Sequence, residues 1–201
     1  MCLFQMNNSK PLVRQAAVLV GLVERPGGDR LILTRRSLAL PDHAGQICFP
    51  GGVVEPQDRH HTAAALREAQ EEVGLDSRFV QVTHQLPRYL TGTGFEVTPV
   101  VGRIDPAALL LPCLAEVVEI FEIPVAAVLQ RAAYRPFRYP YRGRKRLLWA
   151  LPYGPYYIWG ATAAILVRFR WQMLRQSGRY MLPQDSLAMP SASRVSIRDS
   201  S

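Results

Sequence analysis

Cysteine is scarce in this chain of 201 residues, which contains only Cys2, Cys48 and Cys113. Three cysteines cannot all pair with one another, and their spacing matches no metal-ligand motif. This usage is typical of proteins from a reducing compartment. A small fold held together by disulfide bonds is therefore not expected.

Long hydrophobic runs are missing as well. The longest, YYIWGATAAILV, ends at Arg168 and is shorter than the roughly 20 residues that a membrane-spanning helix needs. The first residues, MCLFQMNNSKPLVRQ, lack the basic start and apolar run of a secretory signal, and the last residues match no lipidation motif. These absences predict a cytoplasmic protein with no membrane partner.

Lysine is almost absent, because Lys10 and Lys145 are its only occurrences and arginine supplies nearly all of the positive charge. The formal net charge is +8. Arginine binds phosphate and carboxylate groups through paired hydrogen bonds. A basic surface favours an anionic small molecule, a nucleic acid or an acidic membrane surface without choosing among them. Codon usage in a GC-rich genome would also explain the bias.

The first half of the chain predicts strands followed by one helix. AAVLVGLVE and RLILTRR flank a PGGD turn and predict a hairpin, and SLALPDHAGQ predicts a loop before the short strand ICFPGG. The next helix is expected from about Arg59 to Val73, with Asp58 as its N-cap and Gly74 at its end.

The second half predicts further strands and a second main helix. RFVQVTHQLPRYLT, FEVTPVVGRI and EVVEIFEIPV have strand character, and a short helix, VAAVLQRAA, follows them. A second hairpin should turn near Gly143, and an amphipathic helix should end around Gly178. The pattern indicates an α+β fold with about six to eight strands. We expect one domain over residues 1–181 and a disordered tail over residues 182–201, which are rich in serine and proline.

Three carboxylates crowd the predicted helix. Glu68, Glu71 and Glu72 cover an arc that faces largely away from the apolar face, and like charges at this spacing repel by about 0.2–0.5 kcal/mol per pair. A bound hard cation such as Mg²⁺ would offset the repulsion. Gly51 and Gly52 would let the backbone approach such a site closely, and Arg67 could orient a carboxylate. An ordinary solvated acidic helix face is the alternative.

The segment REAQEEVGL, which follows FPGG, resembles the box of the Nudix hydrolase family, written G-x5-E-x7-R-E-U-x-E-E-x-G-U. The second half of the box is matched by Arg67, Glu68, Glu71, Glu72 and Gly74. The first half departs from it, because the glycine of the motif would fall on Val53 and Gly52 lies one residue too far away. Asp58 stands in place of the motif's first glutamate, and Ala69 replaces a bulky aliphatic residue.

A second signature resembles the coenzyme A diphosphatase (CoA pyrophosphatase) branch of that family. The stretch LTRRSLALPDHAGQICFPGG fits its pattern at Arg36, Ser37, Gly45, Phe49, Pro50, Gly51 and Gly52. Pro41 stands where the branch usually has arginine. AEVVEIFEIPV and IWGATA are similar to its later segments, so the resemblance covers roughly residues 15–175.

The resemblance implies a Nudix-like α/β/α sandwich, in which a mixed central β-sheet is flanked by the Nudix-box helix and a C-terminal helix. It implies metal-dependent hydrolysis of the diphosphate bond of coenzyme A or acyl-CoA, giving adenosine 3′,5′-bisphosphate and 4′-phosphopantetheine or its acyl form. The implied cofactor is Mg²⁺ or Mn²⁺. The expected partner is this small-molecule substrate; we do not expect a nucleic-acid partner, and a homodimer is left open.

Residue roles follow from the same match. The implied metal ligands are Glu68, Glu72, Glu71 and the carbonyl of Gly51. Arg67, Glu68 and Glu71 are implied as catalytic residues, with Arg67 orienting Glu68. The general base is left open between Glu68 and Glu116.

The substrate-binding residues implied by the branch signature are Arg35, Arg36, Ser37, Gly45 and Gly52. The two arginines could meet substrate phosphates, although arginines at a strand end are commonly exposed to solvent. For His43 we favour a hydrogen bond to the backbone over a ligand contact, and we expect His60 and His61 to be surface residues.

Alternative functions stay open at this point. Pro41 leaves room for another nucleoside diphosphate derivative, such as a dinucleotide, NADH or a nucleoside triphosphate. The stretch YRPFRYPYRGRKRLLW interleaves arginine with tyrosine, which suits a solvated hairpin face, a pocket for adenine and a 3′-phosphate, or a nucleic-acid surface. A non-catalytic module that binds nucleotide or RNA would therefore be the alternative to an enzyme.

Overall fold

The computed structural model describes residues 13–141 and 143–178. In this part of the chain the strands are β1 Arg14–Arg25, β2 Gly28–Arg36, β3 Ile47–Cys48, β4 Gly51–Val53, β5 Val80–Gln85, β6 Tyr89–Leu90, β7 Phe95–Ile104, β8 Val117–Pro124, β9 Arg135–Tyr141, β10 Arg144–Tyr153 and β11 Tyr156–Trp159. The α-helices are α1 His61–Val73, α2 Val125–Leu129 and α3 Gly160–Gln176. The tail predicted over residues 182–201 lies outside the described residues.

The predicted first hairpin is confirmed, and it forms the centre of a mixed sheet. β1 pairs antiparallel with β2 and parallel with β7. The main order is β3-β2-β1-β7-β5, while β4 also pairs with β1, β6 with β7 and β8 with β2. The mixed central sheet expected from the family resemblance is therefore confirmed.

Side chains alternate between the two faces of this sheet and create two cores. Along β1, Ala17 and Leu19 pack in the cluster that contains the apolar residues of α1. Val20 and Leu22 pack in the other cluster, together with the buried residues of α3. The two main helices thus cover opposite faces, which confirms the expected sandwich.

The start of α1 differs from the prediction. The helix begins at His61, and Nδ1 of His60 accepts a hydrogen bond from the backbone N–H of Ala63. The expected cap, Asp58, lies outside the helix because its carboxylate bonds to Arg67 and to the N–H of Glu55. The end of α1 is confirmed, since Gly74 has φ 66° in the left-handed region that glycine adopts without strain.

The second hairpin, β9–β10, is confirmed, and β11 adds a third strand to this small sheet. The described part of the chain has eleven strands rather than six to eight. The difference arises because β3, β4, β6 and β11 contain only two to four residues each. The helix predicted over VAAVLQRAA is shorter than expected; α2 ends at Leu129, and a single 3₁₀ turn follows it.

Within residues 13–141 and 143–178, no helix has the length and apolar character needed to cross a bilayer.

Candidate active site

The three carboxylates of α1 have very different exposures. The side chain of Glu72 is 2% exposed, that of Glu68 is 14% exposed and that of Glu71 is 54% exposed. The expectation that all three project together, away from the apolar face, is therefore wrong. Glu72 lies three residues after Ala69, which packs on the sheet, so the helical period turns Glu72 towards the sheet as well.

Glu72 is held by the first residue of β4, Gly51. Its Oε2 accepts a hydrogen bond of 3.0 Å from the backbone N–H of Gly51, and Oε1 lies 3.5 Å from Nη1 of Arg36. Burial raises the pKa of the Glu72 carboxyl to about 7, although the Gly51 bond and the charge of Arg36 act against this rise. A nearby positive charge would therefore favour ionisation of this carboxyl.

Glu68 occupies space that only glycine leaves free. A Cβ at Gly52 would lie 2.5 Å from the carboxyl carbon of Glu68, well inside van der Waals contact. The Oε1 of Glu68 is 3.0 Å from Nη2 of Arg67. Burial raises the pKa of the Glu68 carboxyl, and Arg67 acts in the opposite direction. Gly52 thus leaves the space that the Glu68 carboxyl occupies.

Arg67 connects the helix to the preceding loop. Its Nε and Nη2 donate to the two carboxylate oxygens of Asp58, at 3.1 and 3.0 Å, and Nη2 also donates to the carbonyl of Val53. Nη1 donates to Glu71 at 2.9 Å. Arg67 lowers the pKa of the Asp58 carboxyl, so Asp58 stays ionised as the counter-ion of this guanidinium.

The loop before β8 brings a fourth carboxylate to the same region. The backbone N–H of Cys113 donates to the carbonyl of Glu72, and the carbonyl of Glu116 accepts from the N–H of Ser37. The negative charge of Glu116 contributes to the raised pKa of both Glu68 and Glu72. Glu116 therefore lies near enough to this pair to repel it.

Only one of the two predicted phosphate-binding arginines faces these carboxylates. Arg36 lies beside Glu72, whereas Arg35 forms a salt bridge with Glu119 of the neighbouring strand. The hydroxyl of Tyr156 also donates to Glu119, at 2.6 Å. Alternation along β2 accounts for the difference: Arg36 follows Ile32 on the face covered by α1, whereas Arg35 follows Leu31 and Leu33 on the opposite face.

The remaining predicted residues lie in the loop that joins β2 to β3. Ser37 is buried, and its Oγ accepts from the N–H of Ala39. Gly45 has φ 68°, and a Cβ there would lie 2.9 Å from a methyl group of Leu38. His43 hydrogen bonds to the side chain of Gln46, rather than to the backbone as we had favoured.

The described donors fit a hard divalent cation in their chemistry. Glu68 and Glu72 are carboxylates largely removed from water, and they repel each other and Glu116. A cation with oxygen ligands would offset this repulsion. Among the described residues, however, no group of three or more His, Cys, Asp or Glu side chains converges as a ready-made metal site. Glu71 is paired with Arg67, so it could join a metal site only after leaving that arginine.

Sequence reasoning missed two relationships in this region. Asp58 was expected to cap α1, but it serves as the main counter-ion of Arg67. The 3.5 Å approach of Arg36 to Glu72, a carboxylate predicted to bind metal, was not predicted either. The first could have been found from the motif itself, because Asp58 occupies the place of a glutamate in the box.

A family model and a relative of similar sequence both match this chain. The family model described as NUDIX domain matches residues 13–142 of this chain. The protein described as "Uncharacterized Nudix hydrolase NudL" of Cronobacter sakazakii is 45% identical over 162 residues, which are 81% of this chain and 84% of that relative.

Solved structures agree on the fold. The Nudix hydrolase RenU from M. smegmatis superposes with a TM-score of 0.53 at 17% identity. The match covers 85% of this chain and 89% of the RenU chain. The NUDIX domain of Shewanella oneidensis NrtR, determined in complex with ADP ribose, superposes with a TM-score of 0.54 at 14% identity, covering 83% of this chain and 92% of its own. At these identities the similarity shows the fold alone.

Proposed function

Because this chain belongs to the NUDIX family and is a Nudix pyrophosphohydrolase, we propose that its substrate is coenzyme A or acyl-CoA. Nudix hydrolases act on nucleoside diphosphate derivatives and use divalent metal cations. The proposed reaction cleaves the diphosphate bond and releases adenosine 3′,5′-bisphosphate and 4′-phosphopantetheine or its acyl form. The proposal includes Mg²⁺ or Mn²⁺ as cofactor, a cytoplasmic location and one catalytic domain over residues 1–181.

The observation that best supports this substrate is the position of Arg36. Arg36 belongs to the segment that resembles the CoA diphosphatase branch, and its Nη1 lies 3.5 Å from Glu72. Its Nε is buried and has no hydrogen-bond partner among the described residues. A guanidinium with an unused donor beside the proposed metal ligands suits a substrate phosphate.

Glu68, Glu72 and the carbonyl of Gly51 would hold the cation, and Glu71 would join them if released from Arg67. When bound, the cation neutralises phosphoryl charge and makes water a better nucleophile. Arg67 holds Glu68 in place and is itself held by Asp58. The proton of the attacking water would go to Glu68 or to Glu116. Glu116 is a candidate beside Glu68 because its negative charge acts on the Glu68 carboxyl.

The substrate contacts proposed for the loop residues differ in kind. Arg36 would contact a phosphate directly, whereas Arg35 would first have to leave Glu119. Ser37 and Gly45 would shape the loop around the substrate, because the Ser37 side chain is buried and Gly45 has a left-handed backbone. Gly52 would act through the room that it leaves for Glu68.

A second candidate is hydrolysis of another nucleoside diphosphate derivative. Pro41 replaces the arginine usual in the CoA diphosphatase branch, and the NrtR domain with the same fold binds ADP ribose. A non-catalytic binding module is less well supported, because such a module has no need of the buried pair Glu68 and Glu72.

The two candidates are separated by kcat/KM for coenzyme A, an acyl-CoA, ADP-ribose and NADH, each measured with Mg²⁺ and with Mn²⁺. We expect kcat/KM for coenzyme A or the acyl-CoA to exceed the other values by at least about tenfold. An ADP-ribose or NADH value equal to or above the coenzyme A value would favour the second candidate. RNA binding that falls with salt, without turnover of any substrate, would favour the binding module.

A further inference from the structure

A largely enclosed guanidinium lies on the α3 side of the main sheet, away from α1 and its carboxylates. It belongs to Arg168, whose Cζ lies 4.8 Å from the ring centre of Tyr89. Nη1 of Arg168 donates to the carbonyl of Ala164, at 3.3 Å. Its Nε is buried without a hydrogen-bond partner among the described residues.

No carboxylate compensates this charge in the part of the chain that the structure describes. The salt bridges found there do not include Arg168. Burial lowers the pKa of Arg168, and the only charge effect on it comes from Tyr89. Enclosed charges in proteins are normally paired or bound to a ligand of opposite charge, because desolvation is costly.

A second arginine acts on the same phenol. Burial raises the pKa of Tyr89, and the positive charges of Arg168 and Arg146 both oppose that rise. Arg146 is exposed and lies on β10, whereas Tyr89 lies on β6 and Arg168 on α3. Both β6 and β10 contact α3, so the charge of the exposed Arg146 acts on the same phenol whose ring Arg168 covers.

We propose that Arg168, Arg146 and Tyr89 form a binding site for a phosphate group, separate from the carboxylates of α1. Two guanidinium groups match the charge of a phosphate dianion and offer only donors, and the phenol hydroxyl can donate one further hydrogen bond to a phosphate oxygen. The cation–π contact does not use the N–H groups of Arg168, since these lie in the plane of the guanidinium. Nη1 already donates to the carbonyl of Ala164, so Nε is the buried donor that lacks a partner among the described residues. The occupant would be free inorganic phosphate, or a phosphate monoester carried by the substrate.

The position of the site favours an occupant other than the reacting diphosphate. Tyr89 contacts α3, which covers the sheet face opposite α1, and β7 and β1 lie between β6 and β4 in the sheet. A diphosphate held at Glu68 and Glu72 would be on the other face. The inference goes beyond the proposed reaction and does not depend on the identity of its substrate.

Binding of inorganic phosphate is measured by ³¹P NMR on the metal-free full chain in EDTA, at constant ionic strength. We expect one saturable site in the parent protein. Arg168→Gln and Arg146→Gln should each raise the dissociation constant by about tenfold, the loss expected for one charge-assisted contact. Tyr89→Phe keeps the ring beneath Arg168 and should give a smaller loss, of about threefold.

Arg138→Gln is the matched control, because Arg138 is an exposed arginine of the adjacent strand β9. It should leave the dissociation constant unchanged. Arg146→Gln keeps the test informative if Arg168→Gln fails to fold. Absence of saturable binding to the parent protein would overturn the site, and so would equal binding by Arg146→Gln, Tyr89→Phe and Arg138→Gln.

The source of the phosphate is resolved by comparing KM for coenzyme A with KM for dephospho-coenzyme A in Arg146→Gln. If both KM values stay unchanged in Arg146→Gln while its phosphate binding weakens, a separate site for free phosphate is supported. A rise in KM for coenzyme A alone would assign the site to the 3′-phosphate monoester that the substrate carries. An equal rise in KM for dephospho-coenzyme A would overturn the separation of this site from the carboxylates of α1. If neither compound is hydrolysed, the proposed substrate fails while the phosphate titration still tests this site.

Discussion

The Asp58 carboxylate accepts hydrogen bonds from Nε and Nη2 of Arg67, at 3.1 and 3.0 Å, and so holds the arginine that contacts Glu68. The side chain of Asp58 is only 4% exposed. This pairing explains how the chain tolerates a departure in the first half of its Nudix box. Asp58 replaces a longer glutamate, and it reaches Arg67 from a loop rather than from the helix.

The first prediction concerns this pair. Asp58→Asn removes the counter-ion of Arg67, and we expect kcat to fall by about tenfold or more, with little change in KM. The free energy of unfolding should fall by about 1.5–3 kcal/mol, the range for an enclosed hydrogen bond to a charged group. Steady-state kinetics and urea denaturation measure the two effects. Asp76→Asn, at an exposed carboxylate paired with Arg78, is the control and should change neither. An Asp58→Asn protein with parental kcat would contradict the role given to Asp58.

The second prediction concerns Gly52. Gly52→Ala places a methyl group 2.5 Å from the carboxyl carbon of Glu68 and should displace that side chain. We expect activity to fall by about a hundredfold, close to the effect of Glu68→Gln. A double-mutant cycle tests the coupling, because two changes that act through one group are not additive. Losses that multiply in the double variant would show that Gly52 acts independently of Glu68.

The third prediction concerns metal binding. Added Mg²⁺ or Mn²⁺ should raise the midpoint of thermal unfolding of the parent protein, since a ligand that binds the folded state stabilises it. Glu72→Gln should abolish most of this rise. The control is Glu24→Gln, at a glutamate whose side chain is 75% exposed on β1. A metal-dependent rise of equal size in Glu72→Gln and Glu24→Gln would remove Glu72 from the proposed ligands.

The fourth prediction concerns thiol reactivity. Burial raises the pKa of Cys48 to about 11, whereas Cys113 is exposed. A thiol with this pKa is ionised in about one molecule in a thousand at pH 8, and the thiolate is the reactive form. In a Cys2→Ser background, an aromatic disulfide reagent should therefore label the folded Cys48→Ser protein much faster than the folded Cys113→Ser protein. The ionised fraction of Cys48 should grow as the pH rises towards 11. Equal labelling of the two folded variants at pH 8 would contradict the enclosure of Cys48.

Local signals in the sequence predicted a good part of the fold. Strong strand patterns around the PGGD turn predicted the first hairpin, and Gly74 predicted the end of α1. The layered arrangement came from the family resemblance rather than from periodicity. ICFPGG predicted one short strand where the structure has β3 and the start of β4, and RFVQVTHQLPRYLT has strand character where the structure has β5 and β6. Strands of two or three residues carry too little pattern to be told apart.

The site was harder to predict because it depends on contacts between distant segments. The helical arc of α1 suggested that its three glutamates share one environment, but the sheet encloses Glu72 and leaves Glu71 in solvent. Arg35 and Arg36 lie on opposite faces of β2, and their partners, Glu119 and Glu72, come from segments that are distant in the sequence. The pairing of Asp58 with Arg67 likewise depends on the course of the loop that precedes α1.

The central claim is tested most directly by identifying the products of coenzyme A in the presence of Mg²⁺ or Mn²⁺, with the parent protein, Glu72→Gln and Glu24→Gln side by side. The account predicts adenosine 3′,5′-bisphosphate and 4′-phosphopantetheine from the parent protein and Glu24→Gln, and a loss of at least about a hundredfold in Glu72→Gln. No release of adenosine 3′,5′-bisphosphate from coenzyme A or an acyl-CoA with either metal would contradict the proposed substrate. Equal release by Glu72→Gln would contradict the proposed site.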